Sequence, residues 1–145
     1  MGLELIGVCK HMCGEALDIS MRGLLQGNAK GCILASCCHH LCKYGTYLNP
    51  GFFEREGLSP EDIQILFRIS SWGTMSHHFD PLPVDIFTQL SEKDYLLLTP
   101  DEKILVGRMC KRLIDKGRAE FLGGRVYQYC SDQLTPENYV IISRS

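Results

Sequence analysis

Two short apolar runs, each stopping abruptly in polar residues with one amphipathic segment between them, fix what the first third of this chain can become. Leu3 to Cys9 ends at Lys10-His11, and Gly31 to Ser36 ends at Cys37-Cys38-His39-His40. Runs of this kind read as buried parallel strands that stop at loops. Between them Leu17, Met21, Leu24 and Leu25 recur at helical spacing as one stripe, and Gly27 is placed to end the helix in a left-handed conformation. Strand, helix and strand in this order make a βαβ unit with parallel strands. With 45% hydrophobic and 22% charged residues, the 145-residue chain can bury one core, so a single domain is expected over 1–145. Fifteen Lys+Arg against 17 Asp+Glu leave a net charge of −2, which excludes a strongly basic nucleic-acid coat protein. No apolar run reaches about 18 residues and the first residues lack a basic flank, so the reading is a soluble, intracellular chain with no membrane contact.

Asn49-Pro50 predicts a short helix ended by Gly57, and Ser59-Pro60-Glu61-Asp62 opens another with Ile63, Leu66, Phe67 and Ser70 on its inner face. Ser71-Trp72-Gly73 stops it. The stretch 73–99, with His77-His78, Pro81 and Pro83, lacks a sustained period and reads as an insertion loop. Thr99-Pro100-Asp101-Glu102 is a capping box for a helix running to about Leu122. Its inner face is expected at Val106, Cys110, Leu113 and Gly117, and its basic outer side at Arg108, Lys111, Arg112 and Lys116. Arg125 to Cys130 and Tyr139 to Ser143 then form an antiparallel pair across a turn. The expected architecture is α/β, the second half of a doubly wound sheet: a parallel βαβ unit plus a closing antiparallel strand pair. A half sheet exposes the edge of its first strand, which predicts poor stability in isolation.

Ligands of such sheets bind outside the carboxyl ends of the strands. There the sequence places Cys9-Lys10-His11-Met12-Cys13-Gly14 and Cys37-Cys38-His39-His40-Leu41-Cys42. Neighbouring strands lie about 4.8 Å apart, so the two clusters should converge on one pocket. The eight cysteines are read as reduced, since adjacent Cys37 and Cys38 and the apolar settings of Cys9 and Cys32 suit burial better than a disulfide framework. Zinc is the obvious ligand for Cys and His. Adjacent residues on an extended chain point to opposite sides, however, so Cys37, Cys38, His39 and His40 cannot all close on one ion, and no metal is expected. Trp72 is either a core anchor or a stacking platform for a base. Arg108, Lys111, Arg112, Lys116 and Arg118 suit phosphate contacts or a solvated helix face. A glycine-rich strand-to-helix turn that would cradle a nucleotide is missing.

The string Lys10-His11-Met12-Cys13-Gly14 with Asp18, the signature Cys37-Cys38-His39-His40 with Cys42, Ser70-Ser71-Trp72, the segment from Gly107 to Arg118, and Thr135-Pro136-Glu137-Asn138 together resemble the eukaryotic tRNA 2'-O-methyltransferases that modify the fourth nucleotide of the acceptor stem. The resemblance runs in order across nearly the whole chain. It implies a Rossmann-like methyltransferase domain, S-adenosylmethionine as methyl donor and tRNA as partner. It also implies that the chain begins near the fourth strand of that domain, without counterparts of the first three strands, the glycine-rich cofactor turn and the N-terminal zinc modules. Where the family usually has Trp two residues after the last Cys of the signature, this chain has Tyr44.

A ribose hydroxyl is a poor nucleophile, so its transfer chemistry needs alignment and a proton acceptor. His39 or His40 is expected in that role, with Lys10 and His11 orienting the hydroxyl or a phosphate and Cys37 and Cys38 shaping the pocket. Cys9, Cys13 and Gly14 are expected near the cofactor, and Tyr44, Trp72, Arg108, Lys111, Arg112 and Arg118 against RNA. Two rivals stand beside this reading. One is a pyrimidine C5-methyltransferase that attacks with the thiolate of Cys37 or Cys38; the other is a non-catalytic tRNA-binding module.

Overall fold

A computed structural model describes residues 4–74 and 98–144. Most of the expected 73–99 loop, with His77, His78 and the two prolines, lies outside the described residues. The chain runs β1 (Ile6–Cys13), α1 (Glu15–Gln26), β2 (Gly31–Cys37), a 3-10 turn (His39–Leu41), α2 (Gly51–Glu54), α3 (Pro60–Ile69), a second 3-10 turn (Ser70–Thr74), α4 (Pro100–Phe121), β3 (Arg125–Gln128) and β4 (Tyr139–Arg144). The strands form one sheet in the order β1-β2-β4-β3. β1 and β2 are parallel, while β4 runs antiparallel to both β2 and β3 and is inserted between them.

Local signals place these elements well. The capping boxes at Ser59 and Thr99 both form, each hydroxyl accepting from the backbone three residues on while Asp62 or Glu102 accepts from the cap. The helix stop after α1 differs: Gly27 has φ −78°, and the left-handed residue is Asn28. Asparagine tolerates that conformation, so the turn is moved by one residue.

Leu17, Met21, Leu34, Leu48, Ala119 and Ile141 form a core between α1, α4 and one face of the sheet. A second core of Tyr47, Phe53, Ile63, Phe67 and Ile114 gathers α2 and α3 against the other side of α4. Among the described residues the opposite sheet face is uncovered: Val8 is 73% exposed, and Ile33 and Ile142, in line with it across the register, are exposed too. The strands are therefore half-buried, not enclosed on both faces as their apolar runs suggested.

Helix α4 turns Cys110 and Gly117 inward as expected, but the buried face is wider and more polar than its apolar positions suggested. Gly107, Cys110, Lys111, Ile114, Asp115, Gly117 and Arg118 are buried, whereas Leu113 is exposed. Its N-terminal half presses on the Ser70–Thr74 turn so closely that a Cβ added at Gly107 would collide with the backbone nitrogen of Gly73 and lie 2.6 Å from the carbonyl carbon of Trp72. Backbone cannot move aside as a side chain does. Gly107→Ala should therefore lower stability by about 1–3 kcal/mol in urea denaturation, while Gly45→Ala, whose added carbon meets nothing within 4 Å, should leave it unchanged.

Candidate functional site

Arg118, with no exposed surface, joins most of the elements around the expected pocket. Its Nε and Nη2 donate to the two carboxylate oxygens of Asp18 on α1, at 3.1 and 2.5 Å. Its Nη1 donates to Asp115 at 3.1 Å, and Nη2 also reaches the Gly14 carbonyl and the Cys42 sulfur. The Tyr47 ring lies 5.8 Å from the guanidinium carbon. Burial pushes the Cys42 thiol up to about 12 despite the opposing pull of Arg118, so it acts as a neutral acceptor. The other oxygen of Asp115 accepts from Ser36 at 2.6 Å and lies 2.9 Å from His39 Nε2. Burial alone would raise the Asp115 pKa, but His39, Arg118 and Ser36 outweigh it and hold the carboxyl at about 2.

The ends of β1 and β2 converge as expected. A register shift between Lys10 and Met12, with His11 at φ 61°, lets Cys13 face Cys37, and their sulfurs lie 3.2 Å apart. Cys38 is also left-handed, at φ 48°, which ends the extended geometry assumed for this stretch. The argument from alternating sides consequently fails at this residue: the sulfurs of Cys13, Cys37 and Cys38 all lie within 4.8 Å of one another. Burial, then mutual proximity, raises the pKa of Cys37, and burial does the same for Cys38.

The two histidines of the signature separate. His39 is buried and turned onto Asp115, with its Nδ1 enclosed and unpartnered among the described residues. Ser36, His39, Lys111, Asp115 and Asn138 line a small cavity of about 10 Å³ there. His40 is half-buried, and burial lowers its pKa, so its imidazole is neutral near pH 7. Lys10 and His11 are exposed at the end of β1, while Cys9 is half-buried against the core.

Several residues expected against RNA lie elsewhere. Trp72 is 4% exposed and packs as an anchor against α4. Lys111, 6% exposed, donates to the Pro136 carbonyl and pairs with Glu137 at 2.8 Å. Arg118 is enclosed in the network above and has no path to a phosphate. Arg108 is half-buried and pairs with Asp132 at 3.3 Å. Tyr44 is half-buried, its hydroxyl donating to Glu54. Arg112 remains on the surface, 4.8 Å over the Tyr139 ring. With the exposed Lys116 and Arg125 it borders an open groove of about 580 Å³ between α4 and β3.

Of the residues expected near the cofactor, Gly14 has its backbone polar groups committed within the fold. The Gly14 amide already donates to Cys37, and its carbonyl accepts from Leu17 and Arg118. Cys9 is partly buried against the core, and the Cys13 sulfur lies beside that of Cys37.

Asp18, Ser36 and Asp115 carry the buried network, yet none of them was assigned a role from the sequence. The available signal was Lys111, Asp115 and Arg118 recurring at i, i+4 and i+7, a polar stripe at helical period. Arg118→Met should cost about 3–5 kcal/mol in denaturant, because two carboxylates are left buried without their cation. Asp115 also makes the fold acid-sensitive. Its folded pKa lies below the ordinary 3.8, so its contribution is complete above pH 4 and disappears as the pH falls towards 2. Urea melts should show Asp115→Asn losing less stability than the wild type over that interval, by on the order of 2 kcal/mol.

Residues 2–144 match the family described as Methyltransferase TRM13. The chain is 29% identical to the tRNA:m(4)X modification enzyme TRM13 of Kluyveromyces lactis, covering 97% of this chain and 36% of that protein. It is 24% identical to the human TRM13 homolog, covering 97% of the chain and 44% of the relative. The Saccharomyces cerevisiae enzyme is also 24% identical, over 97% of the chain and 36% of its own length. The chain thus spans less than half the length of these relatives. No solved structure matches it significantly. On the family match over nearly every residue, the chain belongs to the TRM13 methyltransferase family.

Proposed function

We propose that this chain is part of an S-adenosylmethionine-dependent methyltransferase that acts on a ribose 2'-hydroxyl of the tRNA acceptor stem. The observation that carries the reading is the convergence of the β1 and β2 ends, brought together by the bulge at His11 and the contact of Cys13 with Cys37. The sheet order supports it as well. Two parallel strands, followed by an antiparallel strand inserted before the last, suit the C-terminal half of a Rossmann-like methyltransferase sheet.

Of the two histidines, His40 is the better proton acceptor. His39 is committed to Asp115 and Ser36, so its work is to position the loop that carries His40. Lys10 and His11, exposed at the end of β1, orient the hydroxyl or an adjoining phosphate. Arg112, Lys116 and Arg125 take up the phosphate-binding task expected of the wider basic group, because they border the groove while Arg108, Lys111 and Arg118 are engaged elsewhere. We assign no residue of this chain to the methyl donor.

Thiolate attack on a pyrimidine ring loses support, because the thiols of Cys37 and Cys38 are held protonated. The binding-module reading keeps one specific observation in its favour: the polar groups of Gly14 are all used within the fold.

The test incubates the whole protein of which this chain is part with tRNA and S-adenosylmethionine, then digests the RNA to nucleosides. A 2'-O-methyl nucleoside from the acceptor stem is expected, with turnover falling about 100-fold or more in His40→Ala. Unchanged turnover in that variant would remove His40 from the mechanism. Salt-dependent tRNA binding without any methylated nucleoside would establish the binding module instead, and a covalent adduct with 5-fluoropyrimidine RNA would restore the thiolate route.

A further inference from the structure

We propose that Cys13, Cys37 and Cys38 form a three-thiolate site for a thiophilic divalent cation, Zn2+ by ligand type, with the fourth position open to solvent. Two departures from regular strand geometry build the cluster. Without the shift between Lys10 and Met12, the parallel register would set Cys13 beside residue 38; with it, Cys13 meets Cys37 directly. The left-handed turn at Cys38 then swings the next thiol to the same side. Non-glycine residues avoid this conformation, and two of them in one small region mark a local strain that the surrounding structure must sustain. Both strained positions, His11 and Cys38, serve the same result, three sulfurs within 4.8 Å.

The spacing suits a metal. Zinc–sulfur bonds of about 2.3 Å at tetrahedral angles put sulfurs about 3.8 Å apart. The 3.2 Å between Cys13 and Cys37 and the 4.8 Å limit on the set bracket that value, so small side-chain rotations close the site. Cys13 is exposed, which gives the ion an entry path, while Cys37 is buried and Cys38 half-buried. Three sulfurs of one soft donor type select a thiophilic ion over Mg2+ or Ca2+. Ligation forms three metal–sulfur bonds and releases three thiol protons to solvent, with no change of oxidation state. Among the described residues no further Cys, His, Asp or Glu joins the cluster, so water or an added ligand completes the coordination.

The test uses the full chain, reduced and freed of metal with a chelator, then titrated with Co2+ and challenged with Zn2+. One Co2+ per chain is expected, with sulfur-to-cobalt charge-transfer absorption that one equivalent of Zn2+ abolishes. Cys13→Ser and Cys38→Ser should each weaken binding at least about 100-fold, while Cys130→Ser, outside the cluster, should bind as the wild type does. Circular dichroism melts check that the variants fold; because Cys13 is exposed, Cys13→Ser keeps the test decisive if Cys37→Ser unfolds. Equal affinity in Cys13→Ser, or a reduced protein that ignores Co2+ yet cross-links Cys13 to Cys37 on oxidation, would overturn the site. Neither readout involves RNA or methyl transfer.

Discussion

A guanidinium with no contact with water is tolerable only when every donor is answered, and at Arg118 the answers come from four separate stretches of chain. Asp18 brings α1, Gly14 the junction before it, Cys42 the loop after the signature, and Asp115 the preceding turn of α4 itself. Apolar contacts alone would leave the relation between the two cores loose, since Ile114 belongs to one and Ala119 to the other. Arg118 lies on the helix that joins them, and its planar fork fixes direction as well as distance. Through Asp115 the same network reaches Ser36 and His39, so the position of the strand ends depends on a charge buried in α4.

That dependence explains the division of labour within the signature. One histidine is held on Asp115 and Ser36, and the other is left half-buried. The left-handed Cys38 immediately before them lets the chain leave β2, deliver two thiols to one side and still turn His39 inward. A regular strand ending would have alternated these side chains and separated the thiols. Strain at this corner is therefore coupled to what the corner presents.

The βαβ unit, the final antiparallel pair, the helix start at Ser59 and the capping box at Thr99 were legible because each rests on residues close in sequence. So was the meeting of the two clusters, which follows from strand pairing alone. The inward face of α4 was not legible by hydrophobicity, because Lys111, Asp115 and Arg118 are made buriable by partners such as Asp18 and Glu137 that the local pattern does not reveal. Leu113 consequently stands outward where an apolar count would place it inside. The same blindness sent Arg118 and Lys111 to the RNA surface and hid the bulge at His11, whose effect is visible only once β1 and β2 are paired.

The charged face of α4 also sets a limit on engineering this fold. Replacing Asp18, Asp115 and Arg118 together with well-packed apolar side chains is a recognised route to a more robust interior, since desolvated ions give little net gain. Here that exchange would free His39 from its anchor and let the turn after β2 drift. A sturdier version of the domain would be obtained by blurring the one corner whose geometry distinguishes it.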